Sequence, residues 1–114
     1  MSSCLFCQIA SRQRAGKIVY EDEQSVAFED ISPKAPVHIL IIPRRHLATL
    51  VDAREDDDRL LGHLLLVATT IARKQGIAER GFRLVLNCNS EGGQAVFHLH
   101  LHLLGGRPLQ WRPA

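Results

Sequence analysis

The sequence predicts an α+β fold, a mainly antiparallel five-stranded sheet carrying one long and one short helix. Three observations carry that expectation. Short apolar runs rich in β-branched residues recur along the chain, one stretch alone has sustained helical periodicity, and several connections are of hairpin length. The 114 residues suit one domain, spanning 1–114, with no internal repeat, linker or low-complexity tract.

Each element has a local reason. Residues 6–12 form a short helix that ends before Gly16. Residues 18–20 and 25–29 are strands, separated by the polar turn Glu21-Asp22-Glu23-Gln24. Residues 30–36 form a loop, because Pro33 and Pro36 each bias the preceding residue away from helix. Apart from His38, residues 37–42 are apolar and mostly β-branched, as in a strand buried on both faces. In residues 56–75, Leu60, Leu61, Leu64, Leu65, Val67, Ala68 and Ile71 recur at helical spacing. Glu55, Asp56, Asp57 and Asp58 suit the positive end of that helix, Arg73 and Lys74 its negative end, and Gly76 its terminus. Residues 82–87 and 96–104 complete the strands.

Composition excludes several classes of function. Hydrophobic residues at 46% and charged residues at 23% are globular values that argue against disorder. Fourteen Lys and Arg against twelve Asp and Glu leave a net charge of only +2, with no basic block to attract nucleic acid. No apolar run approaches the ~20 residues of a membrane span, since 39–42 stops at Pro43 and 64–68 at Thr69. The first residues lack the basic and apolar regions of a secretory signal, and three cysteines do not suit a disulfide framework. A cytoplasmic location is expected.

Six histidines stand out, three of them at alternate positions from 98 to 102. On a strand, His98, His100 and His102 share one face, while Phe97, Leu99, Leu101 and Leu103 face the core. Three like-charged groups on one face require an anionic ligand, a metal or neutral tautomers to offset their repulsion. Imidazoles so placed can bind Zn²⁺, act as a general base towards water, or attack phosphorus directly. The preceding segment 87–94 offers Asn87 and the pair Gly92-Gly93, whose backbone N–H groups can approach an anion closely. That neighbour favours a phosphate ligand. Asp30 also reads as a turn residue, His38 as a core histidine and Asn87 as a strand-end residue. Phe28, Ile31 and Ile39 read as core, with a purine wall as the alternative. His63 reads as a surface or interface residue. Cys4 and Cys7 have the C-x₂-C spacing of half a zinc site, which a buried or redox pair shares.

His98-Leu99-His100-Leu101-His102-Leu103-Leu104 matches the His-φ-His-φ-His-φ-φ signature, and the chain thereby resembles the histidine triad (HIT) family. The stretch Asp30 through His38, Ile41-Ile42-Pro43, Gly92-Gly93-Gln94 and Gly105-Gly106-Arg107 look like its Hint branch. The resemblance implies a homodimer whose two sheets join into a ten-stranded one. It also implies hydrolysis of purine nucleoside 5′-phosphoramidates, such as adenosine 5′-phosphoramidate, to nucleoside monophosphate and amine, with no cofactor required for catalysis. His100 would be the nucleophile, His102 a donor to the phosphate, His98 the residue orienting His100, and His38 a support for the network. Asp30 would bind the ribose, Ile31 the base, and Asn87, Gly93 and Gln94 the phosphate side. Ala95 stands where the branch usually carries Ser, so only its backbone N–H remains as a donor. Some bacterial relatives use the cysteine pair with two histidines, which here implies a structural Zn²⁺ on Cys4, Cys7, His46 and His98.

Other readings lie close by. Nucleotidyl transferases of the superfamily carry Gln at the third triad position, where this chain has His102. Dinucleoside polyphosphate hydrolases keep that histidine but differ from this chain over 105–111. A three-histidine zinc hydrolase and a nucleotide-binding scaffold without turnover complete the alternatives. Trp111 reads as an exposed aromatic suited to an interface. The family resemblance implies that the C-terminal residues lie near the partner subunit's active site, where 107–111 would influence substrate choice across the dimer.

Overall fold

The computed structural model describes residues 3–111. Helix α1 (Leu5–Ala10) precedes strands β1 (Ile18–Glu21), β2 (Ser25–Glu29) and β3 (Val37–Pro43). Helix α2 (Asp58–Lys74) follows, then β4 (Phe82–Val85) and β5 (Leu101–Gly105), with three short 3₁₀ turns between elements. The sheet is wholly antiparallel in the order β1-β2-β3-β5-β4, as the sequence predicts.

Strand alternation divides β3 between two cores, which is why its sequence is apolar throughout. Ile39 and Ile41 face α2, where Leu64, Val67, Ala68, Ile71 and Ala72 meet them together with Leu99, Leu101 and Leu103. Leu40 and Ile42 face the other way, packing with Val26 and Phe28 under Phe6, Ile9 and Ala10 of α1. His38 shares this second face, because it pairs with Leu104 as Leu40 pairs with His102. A helix thus covers each face of the sheet.

Short polar networks fix the connections. In the β1–β2 turn, Asp22 accepts the N–H groups of Gln24 and Ser25, the Ser25 and Tyr20 hydroxyls, and His63 of α2 at 2.7 Å. Burial alone would raise the Asp22 pKa, but these donors outweigh it and hold the carboxyl well below the usual range. His63 is therefore a half-buried tie between α2 and the hairpin. Arg44 joins Glu21, the Asp22 carbonyl and the Ala10 carbonyl, fastening the end of α1 to the same turn.

Four expectations are corrected. The last strand begins at Leu101, not at 96, because the groups that would extend its ladder are taken. The Leu99 N–H donates to Leu47 at 2.7 Å, Pro43 has no N–H, and its carbonyl accepts from the His98 ring. Strand β4 accordingly stops at Val85, opposite His102. Phe97 is half exposed and not core, as is Leu65 of α2. The long helix starts at Asp58, behind a 3₁₀ turn in which the buried Asp57 accepts the Arg54 N–H and the Arg45 guanidinium.

Candidate active site and metal centre

The histidines occupy the α1 face of the sheet, where β3 and β5 meet. His98 is fully buried, His100 and His38 are buried, and His102 is partly open. Their spacing follows the alternation the sequence predicts, although His98 and His100 lie just before β5.

Backbone partners fix the tautomer of each ring. The Nε2–H of His98 donates to the Pro43 carbonyl at 2.7 Å, which leaves its Nδ1 unprotonated. The Nδ1–H of His100 donates to the His98 carbonyl at 2.8 Å, which leaves Nε2 with a free lone pair. The Lys34 N–H donates to Nδ1 of His38 at 3.0 Å, so the His38 proton sits on Nε2. That Nε2–H faces Nδ1 of His102 at 2.9 Å, making His102 an acceptor there and a donor through its own Nε2. The His98, His100 and His38 assignments follow from main-chain groups, and that of His102 follows from His38.

Electrostatics agree with neutral His38 and His102 rings. Burial, then the neighbouring His100 and His38, push the His102 pKa down to about 4. Burial also lowers His38, against the opposing pull of Asp30. Phe6 presses its ring against His100, with centroids 5.2 Å apart and planes at 88°, and packs edge-on against Phe28. Their apolar contact keeps water from the inner side of the strip.

Asp30 lies at the end of β2, its Oδ1 held by the Ser32 N–H at 2.8 Å and its Oδ2 3.4 Å from His38 Nε2. Asp30, His38 and His102 place one donor atom each within 4.8 Å of one another. They are a hydrogen-bond relay and not a ligand set, because the Lys34 N–H leaves His38 Nε2 no lone pair for a metal. Ile31 is almost fully exposed beside Asp30. Phe28 lies in the cluster under α1 and Ile39 in the one under α2.

The segment after β4 carries half-buried Asn87 into a 3₁₀ turn closed by Gly93, whose φ of 85° is left-handed. Gln94 is buried, and its amide is spent on the Asn89 N–H and the Ala48 and Val96 carbonyls. Its side chain shapes the loop instead of facing outward. Ala95 is exposed and offers only its backbone.

Behind His98 lies a second constellation. Cys4 Sγ and Cys7 Sγ each stand 3.4 Å from His98 Nδ1, and Cys7 Sγ is also 3.4 Å from His46 Nδ1. All four ligand atoms fall within 4.8 Å of one another. Tetrahedral zinc, with Zn–S of ~2.3 Å and Zn–N of ~2.0 Å, separates S from N by roughly 3.5 Å. The spacing and the unprotonated His98 nitrogen therefore fit the metal. Phe6, the Lys34 peptide and the Pro43 carbonyl are the participants that sequence reasoning missed. Only Phe6, between the two cysteines, left any signal.

A histidine strip of this register, on a five-stranded antiparallel sheet with one long helix, defines a class that comparison identifies. The HIT domain model matches residues 11–109, and the chain belongs to that family. It is 50% identical over 109 residues to an uncharacterized HIT-like protein of Synechococcus elongatus, covering 96% of this chain and 95% of that one. The structure of a HIT family hydrolase from Legionella pneumophila superposes with a TM-score of 0.96 at 50% identity, covering 98% of this chain and all of that one. A Zn-bound histidine triad family protein from Mycobacterium smegmatis superposes with a TM-score of 0.79 at 31% identity, covering 92% of this chain and 76% of that one.

Proposed function

We propose that the chain hydrolyses the P–N bond of purine nucleoside 5′-phosphoramidates through a nucleotidyl-histidine intermediate. The observation that carries this reading is the pair of opposite tautomers on adjacent imidazoles. His100 presents a lone pair at Nε2, while His102 presents a proton at Nε2. A nucleophile beside a donor is what attack on a phosphate needs.

In this mechanism Asp30 accepts the ribose hydroxyls, the exposed Ile31 side chain lies against the base, and Asn87 with the Gly93 backbone lines the phosphate side. His100 Nε2 forms a bond to phosphorus as the P–N bond breaks, and the amine departs with that electron pair and takes a proton from solvent. His102 stabilises the charge on the phosphate oxygens through its Nε2–H. Water then displaces His100 from phosphorus, releasing the monophosphate. His98 aligns the nucleophile through its carbonyl, and His38 holds His102 in the donating tautomer.

Cys4, Cys7, His46 and His98 hold a structural Zn²⁺ in this reading, supported by their geometry and by the zinc carried by the Mycobacterium smegmatis relative. Bound there, the metal cross-links α1 to the triad segment. A homodimer joined through the edge strand β4 into a ten-stranded sheet also belongs to this reading. Its support is the edge position of β4 in the strand order of the described residues and the apolar Leu65 and Leu66 exposed on α2.

The test is kcat/KM across nucleoside 5′-phosphoramidates of varied base and amine, with dinucleoside polyphosphates as competitors for the assignment. Purine phosphoramidates should lead. Preference for the polyphosphates would favour the dinucleoside polyphosphate hydrolase reading, and binding without turnover would favour the scaffold.

A further inference from the structure

Arg107 lies outside the triad signature, yet it grips the loop that sets the tautomers. Its Nη2 donates to the Lys34 carbonyl at 2.9 Å, while Nη1 donates to the Pro108 carbonyl at 3.1 Å. The N–H of the same Lys34 is the group that donates to His38 Nδ1. The chain reaches this point by pressing close to the loop. Gly106 has a φ of 94°, and a Cβ there would stand 2.9 Å from the Pro36 side chain.

The loop's remaining side-chain bonds are local. Ser32 N–H donates to Asp30 and Lys34 Nζ to the Ser32 carbonyl, so neither bond holds the Lys34 main chain. The Lys34 carbonyl meets Arg107 on one side of its Cα, and the N–H meets His38 on the other. Two hydrogen bonds joined through the Lys34 backbone, and a third between the rings, therefore lead from the Arg107 guanidinium to His38 and on to His102.

We propose that Arg107 is a positioning residue, which holds the Lys34 N–H against His38 Nδ1 and thereby keeps His102 in its donating tautomer. A planar fork bridging two carbonyls suits arginine better than lysine. The proposal rests on the reading above, in which His102 donates to the phosphate. Its structural half stands apart from any substrate.

The test compares Arg107→Gln with the unaltered full-length protein by long-range ¹H–¹⁵N correlation of the imidazoles. In the unaltered chain His38 should show an unprotonated Nδ1 and a protonated Nε2. In Arg107→Gln the two nitrogens of His38 should average towards each other. kcat should fall by on the order of tenfold to a hundredfold, the scale of a small misplacement, with a smaller change in KM. Arg107→Lys should recover part of both. Arg80→Gln removes a charge from the same surface hollow, and it should alter neither.

An unchanged His38 pattern in Arg107→Gln would overturn the proposal, as would an equal effect from Arg80→Gln, which would point to charge alone. If Arg107→Gln does not fold, hydrogen exchange in the unaltered chain decides. The Lys34 amide must be protected, and exchange at the rate of a free loop amide would sink the idea. A chain that cleaves no phosphoramidate, yet loses its His38 tautomer in Arg107→Gln, supports the positioning role and rejects the functional reading.

Discussion

The carbonyl of His98 accepts the Nδ1–H of His100 at 2.8 Å, while the His98 ring points the other way, its Nδ1 toward Cys4 and Cys7. One residue thus faces His100 with its main chain and the thiols with its side chain. The order of the first depends on the anchoring of the second.

Zinc content follows from that arrangement. Protein purified without added metal should hold about one zinc per chain, the capacity of one four-ligand site. Cys4→Ala should lose it and melt at a lower temperature, because binding to a preformed site is folding free energy. Elemental analysis with thermal denaturation checks both. Sub-stoichiometric zinc that is the same in the variant would contradict the assignment.

Stability should depend on the His102 ring. Its pKa falls from 6.5 to about 4 on folding, so the unfolded chain binds more protons in that window. Stability is therefore present above about 6.5 and drains away as the pH drops towards about 4. Denaturant unfolding at several pH values should show a shallower slope in His102→Asn than in the parent. The difference between the two proteins cancels any contribution from the metal.

At position 95 stands an exposed alanine, which has no side-chain donor. Ala95→Ser adds a donor beside the loop that lines the phosphate in the proposed function, and a well-placed bond to a charged group contributes on the order of 1.5–3 kcal/mol. kcat/KM for a phosphoramidate with a poor leaving group should rise about tenfold or more. An ordered Ser hydroxyl with no kinetic gain would show that the backbone already suffices.

Trp111 is more than four-fifths exposed, and Arg83 holds the preceding residue through the Gln110 carbonyl at 2.8 Å. Sedimentation should show a dimer, in which an aromatic so presented meets a partner. Trp111→Ala, which leaves Arg107 in place, should change the preference among amine leaving groups. A monomer, or an unchanged preference, would refute the role of the tail.

The architecture was legible because its signals are local. The unbroken apolar run in 37–42, helical spacing from Leu64 to Ile71 and the polar turn at Asp22 each have one physical reading. The triad was legible for the same reason, since alternate histidines share a face even where the ladder has ended. The strand's true start was hidden, because it depends on Leu47 and Pro43 claiming groups from residues more than fifty positions away. The tautomers were hidden too. They are set by the carbonyls of Pro43 and His98 and the N–H of Lys34, main-chain groups that every sequence possesses. Gln94 reads as a polar ligand in sequence, and only the fold shows its amide turned inward.

The central claim is that His100 attacks phosphorus, and stereochemistry tests it most directly. A phosphoramidate made chiral at phosphorus, hydrolysed in isotopically labelled water, records how many displacements occurred. Attack by His100 followed by attack of water gives two inversions, and the account predicts net retention. Net inversion would mean that water attacks directly, and it would contradict the role assigned to the free Nε2 of His100.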